Sequence, residues 1–321
     1  MKKWMHVFLI LLCSANVIAQ NLDKDQIYLA DPTIFLDNGT YYLYGTKGDN
    51  RIDGEGFLVY TSGDLKSWKG PVGVSDGFAL KKGDAFGTKG FWAPQVFKYN
   101  SKYYMAYTAN ENIAIATSDS PLGPFVNDKK ALEAPVRQID PFILFDNGKA
   151  FLYHVRLQNG NRIFVAEMTA DLKEIKTETL TECIAAENGW ENTENSDWPV
   201  SEGPTVIKKD NLYYLLYSAN DFRNVDYAVG FATSNNPLGP WEKSKLNPII
   251  SNKKIPYNGT GHGDLFMDQE GTMHYVMHTH FSNSKVQPRK TGLLNLKWNR
   301  NVDVEFSLKI DPNSFYFLKK E

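Results

Sequence analysis

The chain has 321 residues, of which 42% are hydrophobic and 22% are charged, an ordinary composition for a globular protein with a large core. Its formal net charge of −2 shows no basic bias, so nucleic acid is not an expected partner. The aromatic fraction of 13% suits β structure and surfaces that stack on sugar rings alike.

Residues 1–19 have the features of a bacterial secretory signal peptide. The basic residues Lys2 and Lys3 precede an apolar run at 5–15 and a small-residue cleavage site at 17–19. The apolar run is too short for a stable membrane span, so membrane insertion is not expected. We therefore predict export to the periplasm or the extracellular space, with residues 20–321 forming one catalytic domain.

Two cysteines bear on this export prediction. Cys13 follows Leu12, where a lipoprotein signal requires a small residue, so a lipid anchor is not expected. Loss of the signal peptide leaves Cys183 without a partner for an intramolecular disulfide. We interpret Cys183 as a small buried apolar residue.

Five segments of the chain share one pattern, a Pro or Asp head, an apolar strand, a polar turn and an aromatic strand. The first segment reads Asp31-Pro-Thr-Ile-Phe-Leu-Asp-Asn-Gly-Thr-Tyr-Tyr-Leu-Tyr44, and its Asp-Asn-Gly predicts a hairpin turn. The five segments are 31–44, 93–107, 140–153, 203–217 and 263–277. Second hairpins follow at 57–68, 113–125, 165–173 and 229–241.

Two hairpins make one four-stranded antiparallel sheet. The second positions of the five heads are Pro32, Pro94, Pro141, Pro204 and Asp264, which are 62, 47, 63 and 60 residues apart. Units of this size with four short strands are typical of propeller blades. We predict an all-β fold, a five-bladed β-propeller with four-stranded antiparallel blades. A β-sandwich or a long barrel does not explain five similar double hairpins.

Carboxylates occur at or beside three of the heads, as Asp31, Asp140 and Glu202, whereas the second head has Ala93 beside Trp92. The innermost strands of a propeller line its channel, so these side chains should converge. Convergent carboxylates repel one another, and their pKa values separate into one ionised and one protonated group. Glycoside hydrolysis needs such a base and acid. The alternative is that these acids cap turn amides.

The heads, in this order, resemble those of glycoside hydrolase family 43. The motifs that carry the resemblance are Ala30-Asp31-Pro32, Trp92-Ala93-Pro94, Ile139-Asp140-Pro141 and Ser201-Glu202-Gly203-Pro204. The resemblance covers the whole mature chain, although related five-bladed glycosidase families share parts of the pattern. It implies a five-bladed propeller that inverts anomeric configuration and acts on arabinose- and xylose-containing glycans.

The resemblance also implies roles for the three carboxylates. Asp31 would be the general base that activates water, and Glu202 would be the general acid. Asp140 would tune the pKa of the acid and hold it in place. No covalent intermediate and no cofactor for the chemistry are then expected.

Aromatic residues near the predicted channel mouth could stack on a sugar, and the candidates are Phe91, Trp92 and Trp198. The family contacts substrate at the position of Trp92, and Arg289 matches an arginine that the family uses near the substrate. Trp198 ends a polar insertion at 185–198 immediately before the predicted acid. Such a loop commonly shapes a site, and the alternative is a solvated surface loop.

A histidine in the last blade is the candidate for a metal-linked role. Gly259-Thr-Gly-His-Gly-Asp264 resembles the family motif in which His262 lies near the axis beside a calcium ion with much water in its shell. Without that resemblance, a hydrogen-bonded histidine is the default interpretation. His278 and His280 suggest zinc, but no third ligand with suitable spacing is visible.

Taken together, these features predict an exported, inverting glycosidase that releases terminal pentose residues from plant-type polysaccharides or oligosaccharides. An α-L-arabinofuranosidase is the first choice, because many compact single-domain members of the family act on arabinose branches. A β-xylosidase, an exo-galactosidase and an endo-arabinanase are the alternatives within the fold. A non-catalytic carbohydrate-binding propeller would not need the intact acid trio, and a phosphorylase would need a basic cluster near the heads.

Overall fold

The computed structural model describes residues 22–47, 54–187, 189–301 and 304–321. The predicted signal peptide at 1–19 lies outside the described residues. The prediction of an all-β five-bladed propeller is confirmed. Within the described ranges, no helix is long and apolar enough to cross a membrane.

The strands follow one another in chain order within each blade. Blade 1 is the sheet of β1 (Ala30–Asp37), β2 (Thr40–Thr46) and β4 (Tyr60–Ser62). Beside it, β3 (Gly56–Leu58) and β6 (Phe78–Lys81) form a two-stranded sheet, and β5 (Ser67–Trp68) belongs to a further two-stranded sheet. Blade 2 comprises β7 (Trp92–Tyr99), β8 (Lys102–Ala109) and β9 (Asn112–Ser118). Blade 3 comprises β10 (Gln138–Asp146), β11 (Lys149–Leu157), β12 (Asn161–Glu167) and β13 (Thr181–Ala185).

The remaining two blades continue this order. Blade 4 comprises β14 (Ser201–Lys209), β15 (Leu212–Ala219), β16 (Ala228–Ser234) and β17 (Glu242–Lys243). Blade 5 comprises β18 (Gly261–Met267), β19 (Met273–Thr279), β20 (Lys290–Asn301) and β21 (Val304–Phe317), and β22 (Lys319–Lys320) follows it. Two short 3-10 helices span Thr177–Thr179 and Gly189–Glu191.

Blades 3, 4 and 5 are four-stranded as predicted, whereas the sheets of blades 1 and 2 have three strands each in the part of the chain that is described. In blade 2 the fourth position is reduced to a single bridge between Thr117 and Val126. Pro124 lies two residues before Val126 and has no N–H to donate, which limits the ladder there.

The blades are arranged around the axis as a closed ring. The inner strand of each blade contacts the inner strand of the next, from β1 through β7, β10, β14 and β18 back to β1. A cluster of buried apolar residues fills each interface between neighbouring blades. A buried tyrosine also forms a hydrogen bond between blades. The Tyr153 hydroxyl of blade 3 donates to the Pro237 carbonyl of blade 4 at 2.6 Å.

A β-bulge interrupts the pairing near the start of every inner strand. One residue in each bulge has a positive φ. We call these the bulge residues, and they are Asp31 (47°), Ala93 (46°), Asp140 (56°), Gly203 (59°) and His262 (39°). This left-handed conformation is uncommon for residues other than glycine, and it is typical of a bulge that re-aims a side chain.

The bulges correct the alignment of the fifth repeat. The sequence comparison placed Gly263 and Asp264 opposite Asp31 and Pro32, but the positive φ and the register shift identify His262 as the bulge residue of blade 5. The fifth head is therefore offset by one residue. Glu202 also differs from the two aspartates, because it immediately precedes its bulge residue Gly203.

The ring closes between blade 5 and blade 1 through segments near both ends of the described chain. The Ile27 N–H donates to the Leu318 carbonyl at 3.0 Å, and β22 pairs with β5 in parallel. Thr291 on β20 accepts the N–H of Leu29 at 3.0 Å and donates its hydroxyl to the carbonyl of Leu29 at 2.8 Å. A single buried hydroxyl thus satisfies both backbone groups of Leu29.

Replacing Thr291 with valine should destabilise the closure, since valine keeps the shape of the side chain but leaves two buried backbone groups without a partner. We expect Thr291→Val to lower the free energy of unfolding by about 1–3 kcal/mol in urea titrations. Thr181→Val, at an exposed position on β13, is the control and should change it by less than about 0.5 kcal/mol. Equal stability of the two variants would contradict this role of Thr291.

Candidate active site

A cavity of about 1070 Å³ opens at the end of the axis where the inner strands begin. The loops at the starts of the inner strands and the segment 192–200 form its walls. The predicted site residues that line it are Asp31, Trp92, Asp140, Trp198, Glu202, His262 and Arg289. The structure therefore brings together the three carboxylates, two of the three predicted aromatic residues, the arginine and the histidine.

Phe91 is the predicted substrate contact that the structure does not place at the cavity. Its side chain is 3% exposed and packs between blades 1 and 2, with its ring centroid 6.0 Å from that of Phe57 and 6.3 Å from that of Tyr107. Neighbouring residues of an extended chain point to opposite sides. Trp92 faces the cavity, so Phe91 faces the core.

The carboxylate of Asp31 is buried and accepts two side-chain hydrogen bonds. The Arg289 guanidinium donates to Oδ1 at 3.0 Å, and the Thr46 hydroxyl donates to Oδ2 at 2.6 Å. His278 Nδ1 lies 3.3 Å from Oδ1. Burial alone would raise the pKa of Asp31, but the charge of Arg289 is the largest opposing effect, and the pKa lies well below 3.8. Asp31 is therefore ionised at neutral pH.

The charge that stabilises Asp31 comes from Arg289. Burial lowers the pKa of His278 to about 3 and also lowers the pKa of His262, so both imidazoles are neutral at neutral pH. Arg289 is itself held in place because its guanidinium lies 4.5 Å from the ring centroid of Phe222. The predicted substrate arginine thus lines the cavity and is engaged with the candidate base.

Glu202 has the opposite environment. The Tyr227 hydroxyl donates to its Oε1 at 2.9 Å and the Asn161 amide to its Oε2 at 3.0 Å. Burial, together with the negative charges of Asp221 and Asp31, outweighs these bonds and raises the pKa of Glu202 to about 7. A substantial fraction of Glu202 is therefore protonated at neutral pH.

Asp140 lies between the other two carboxylates in the ring of inner strands. Its Oδ2 accepts the backbone N–H of Gly203 at 3.2 Å, which ties it to the residue after Glu202. Burial, and next the charges of Glu202 and Asp31, raise the pKa of Asp140 well above 3.8. Asp140 and Glu202 interact strongly, so they take up and release protons as a pair.

The backbone N–H of each bulge residue donates to a side chain of the preceding blade. The acceptors, in blade order, are His278, Thr46, Thr108, Asp140 and Ser218. Four of these acceptors occupy equivalent positions on second strands. In blade 3 that position is Val155, which has no acceptor, and the Gly203 N–H donates to Asp140 instead.

His262 fills the space between the two aspartates. Its Nδ1 lies 3.4 Å from Asp31 Oδ1 and 3.8 Å from Asp140 Oδ2. A Cβ atom at Gly203 would lie 2.8 Å from the imidazole ring, so glycine is needed there both for this approach and for its φ of +59°.

The surroundings of His262 do not provide a direct ligand set for calcium. Calcium prefers about six to eight oxygen ligands, and none of the described His, Cys, Asp and Glu side chains form a group of three or more that could hold a metal ion. A calcium ion beside His262 would be held mainly by water. Its presence remains a prediction.

Four residues of the site were not assigned to it from the sequence, namely Thr46, Asn161, Tyr227 and His278. His278 drew attention only as half of a zinc pattern, and Thr46 only as the end of the first hairpin. Asn161 and Tyr227 lie outside the repeat heads, so the repeat gave no signal for them. The arrangement combines an ionised carboxylate with a carboxyl group whose pKa is about 7, and these can supply a general base and a general acid.

Comparison with known proteins agrees with this chemistry. A crystal structure of an endo-1,4-beta-xylanase from Bacteroides thetaiotaomicron superimposes with a TM-score of 0.83 at 39% identity, covering 92% of this chain and 98% of that one. A thermostable family-43 glycoside hydrolase superimposes with a TM-score of 0.77 at 34% identity, covering 88% and 93% of the two chains.

Similar sequences point the same way. A xylosidase/arabinosidase from Butyrivibrio fibrisolvens is 29% identical over 276 residues, or 81% of this chain and 51% of that protein, so the chain spans about half the length of this relative. Xylosidase/arabinosidase 43A from Humicola insolens is 28% identical over 70% of this chain and 82% of its own. The sequence model of glycosyl hydrolases family 43 matches residues 26–302, and the chain belongs to that family.

Proposed function

We propose that the protein is an inverting glycosidase that releases terminal pentose residues, first of all α-L-arabinofuranosyl residues, from arabinose- or xylose-containing glycans. The observation that carries the proposal is the pairing of a buried, Arg289-bound Asp31 with a Glu202 whose pKa is raised to about 7 in the same cavity. A non-catalytic carbohydrate-binding protein has no use for this separation of pKa values.

The proposed reaction is a single displacement at the anomeric carbon. Asp31 accepts a proton from a water molecule as the water oxygen attacks that carbon. Glu202 donates its proton to the glycosidic oxygen as the bond to the leaving group breaks. Asp140 accepts the backbone N–H of Gly203, which holds the residue next to the acid in place, and it takes up and releases protons together with Glu202. No covalent intermediate forms on the protein.

The choice of sugar rests on similar proteins and on the cavity walls. Relatives are described as xylosidase/arabinosidase, and one from Bacteroides ovatus as a non-reducing end alpha-L-arabinofuranosidase at 26% identity. Trp92 and Trp198 offer aromatic faces for stacking on a sugar ring. Release of β-xylosyl residues is the second candidate, because the same relatives are described as xylosidases as well as arabinosidases. Export and a mainly water-bound calcium near His262 remain part of this proposal, and no step of the reaction depends on the ion.

Removing the acid should matter most for poor leaving groups, which need protonation. We expect Glu202→Gln to lower kcat/KM about 10²–10⁴-fold on arabino-oligosaccharides, but much less on a nitrophenyl α-L-arabinofuranoside. Asp31→Asn should lower kcat/KM on both substrates, because water must be activated in either case. The measurement is initial-rate kinetics on both substrates, with β-xylosides tested in parallel.

Glu174→Gln, at an exposed site on blade 3, serves as the matched control and should leave both rates within about twofold of the wild type. If neither Asp31→Asn nor Glu202→Gln changed hydrolysis of any sugar, the proposed function would be wrong. A loss of equal size on both substrates in Glu202→Gln would count against its role as the acid.

The pH dependence of kcat/KM should be bell-shaped. Activity requires ionised Asp31 and protonated Glu202, so it is lost as pH falls through the pKa of Asp31, below 3.8, and as pH rises through the pKa of Glu202, about 7. The measurement is kcat/KM on an oligosaccharide between pH 3 and 9. A plateau that continued unchanged above pH 8 would contradict the assignment of Glu202.

A further inference from the structure

Asn161 links the candidate acid to a tryptophan on the cavity wall. Its amide nitrogen donates to Glu202 Oε2 at 3.0 Å, and its amide oxygen accepts the indole N–H of Trp198 at 3.0 Å. The indole N–H can only donate, so the oxygen of the Asn161 amide must face Trp198. That leaves the NH2 group directed at Glu202, and Trp198 thereby fixes which end of the amide faces the carboxyl group.

The backbone of Asn161 is fixed to the segment that contains both of its partners. Its N–H donates to the Pro199 carbonyl at 2.9 Å, and its own carbonyl accepts the Ser201 hydroxyl at 3.0 Å. Asn161 begins β12 in blade 3, whereas the segment from Trp198 to Glu202 leads into β14 of blade 4. Asn161 is therefore hydrogen-bonded to the residues immediately before Glu202, which place the acid in the cavity.

Trp198 is also the part of this network that a ligand can reach. Its side chain is 49% exposed and lines the cavity, whereas Glu202 is 8% exposed. The one polar atom of the indole, Nε1, donates to Asn161, so a sugar that contacts the ring would press on the side chain that orients the Asn161 amide. A sugar that restricts the movement of the indole ring thereby also restricts the Asn161 amide and the Glu202 carboxyl group to which that amide donates.

We propose that Trp198 and Asn161 are a pair of positioning residues for Glu202, in which Trp198 acts on the acid through the side-chain amide of Asn161. The inference rests on the proposed function, because it presumes that Glu202 is the proton donor. It assigns Trp198 a role beyond stacking on the sugar, and it assigns Asn161 a role that the sequence did not suggest.

The sign of the effect follows from the donor. An N–H that donates to a carboxylate stabilises its ionised form and lowers its pKa. Loss of the amide donor, or loss of the indole that orients it, should therefore raise the pKa of Glu202. Since the acid must be protonated, the alkaline limb of the kcat/KM profile moves to higher pH.

The test is the pH profile of kcat/KM on an oligosaccharide for Trp198→Phe, Asn161→Ala and the double variant. Phenylalanine keeps an aromatic ring but has no N–H and lacks the second ring of the indole. Each single substitution should move the alkaline limb up by about one pH unit, the size expected for one charged hydrogen bond. The double variant should match Asn161→Ala, because Trp198 has no separate route to the acid.

Two further variants guard against indirect effects. Trp190→Phe is the matched control, since Trp190 lies in the same loop and packs on Tyr217 with ring centroids 5.8 Å apart. The alkaline limb of the kcat/KM profile of this variant should not move. Asn161→Asp keeps the shape of the side chain but replaces the donor by a carboxylate beside Glu202. It should move the limb further up than Asn161→Ala does.

The outcomes separate the two proposals. A limb that persists unchanged in Glu202→Gln would mean that Glu202 is not the acid, and the proposed function and this inference would both be wrong. A limb that depends on Glu202 but stays in place in Trp198→Phe and Asn161→Ala would overturn the inference alone. Equal shifts from Trp198→Phe in the wild-type and Asn161→Ala backgrounds would also overturn it.

Discussion

At the start of each inner strand the backbone passes through one residue with a positive φ, and the N–H of that residue donates to a side chain of the preceding blade. Left-handed residues other than glycine carry strain of roughly 1–3 kcal/mol each, which these bonds between blades help to offset. The same turn of the chain directs Asp31, Asp140 and His262 towards the axis. Propeller closure and the candidate active site therefore depend on one local geometry.

The pKa values of Asp31 and Glu202 differ because the positive charge of Arg289 lies beside Asp31. Arg289 binds Asp31 directly, so Asp31 stays ionised despite its burial. Glu202 has neutral donors in Tyr227 and Asn161 and negative neighbours in Asp221 and Asp31, so its pKa rises. His262 is neutral and fills the space between the aspartates. Two carboxyl groups of one cavity thus differ widely in their affinity for a proton.

The fold could be predicted from the sequence because the repeat shows itself in short segments, and Asp31, Asp140 and Glu202 stand at or beside its heads. Three features could not be predicted. The one-residue offset of the fifth head depends on a register that only pairing with β19 defines, and the inward direction of Phe91 depends on which residue begins β7. Asn161 and Tyr227 reach Glu202 through contacts over 41 and 25 residues of sequence, which no local pattern records.

The stereochemistry of the first product tests the central claim, that Asp31 activates water for a single displacement while Glu202 protonates the leaving group. The measurement is 1H NMR of the anomeric protons in the first minutes of hydrolysis of an α-L-arabinofuranosyl oligosaccharide, or of the pentoside that is cleaved fastest. The account predicts that the product with inverted configuration appears first and that its anomer grows in only by mutarotation. Initial formation of the retained anomer would contradict it, because retention requires a carboxylate that attacks the sugar directly.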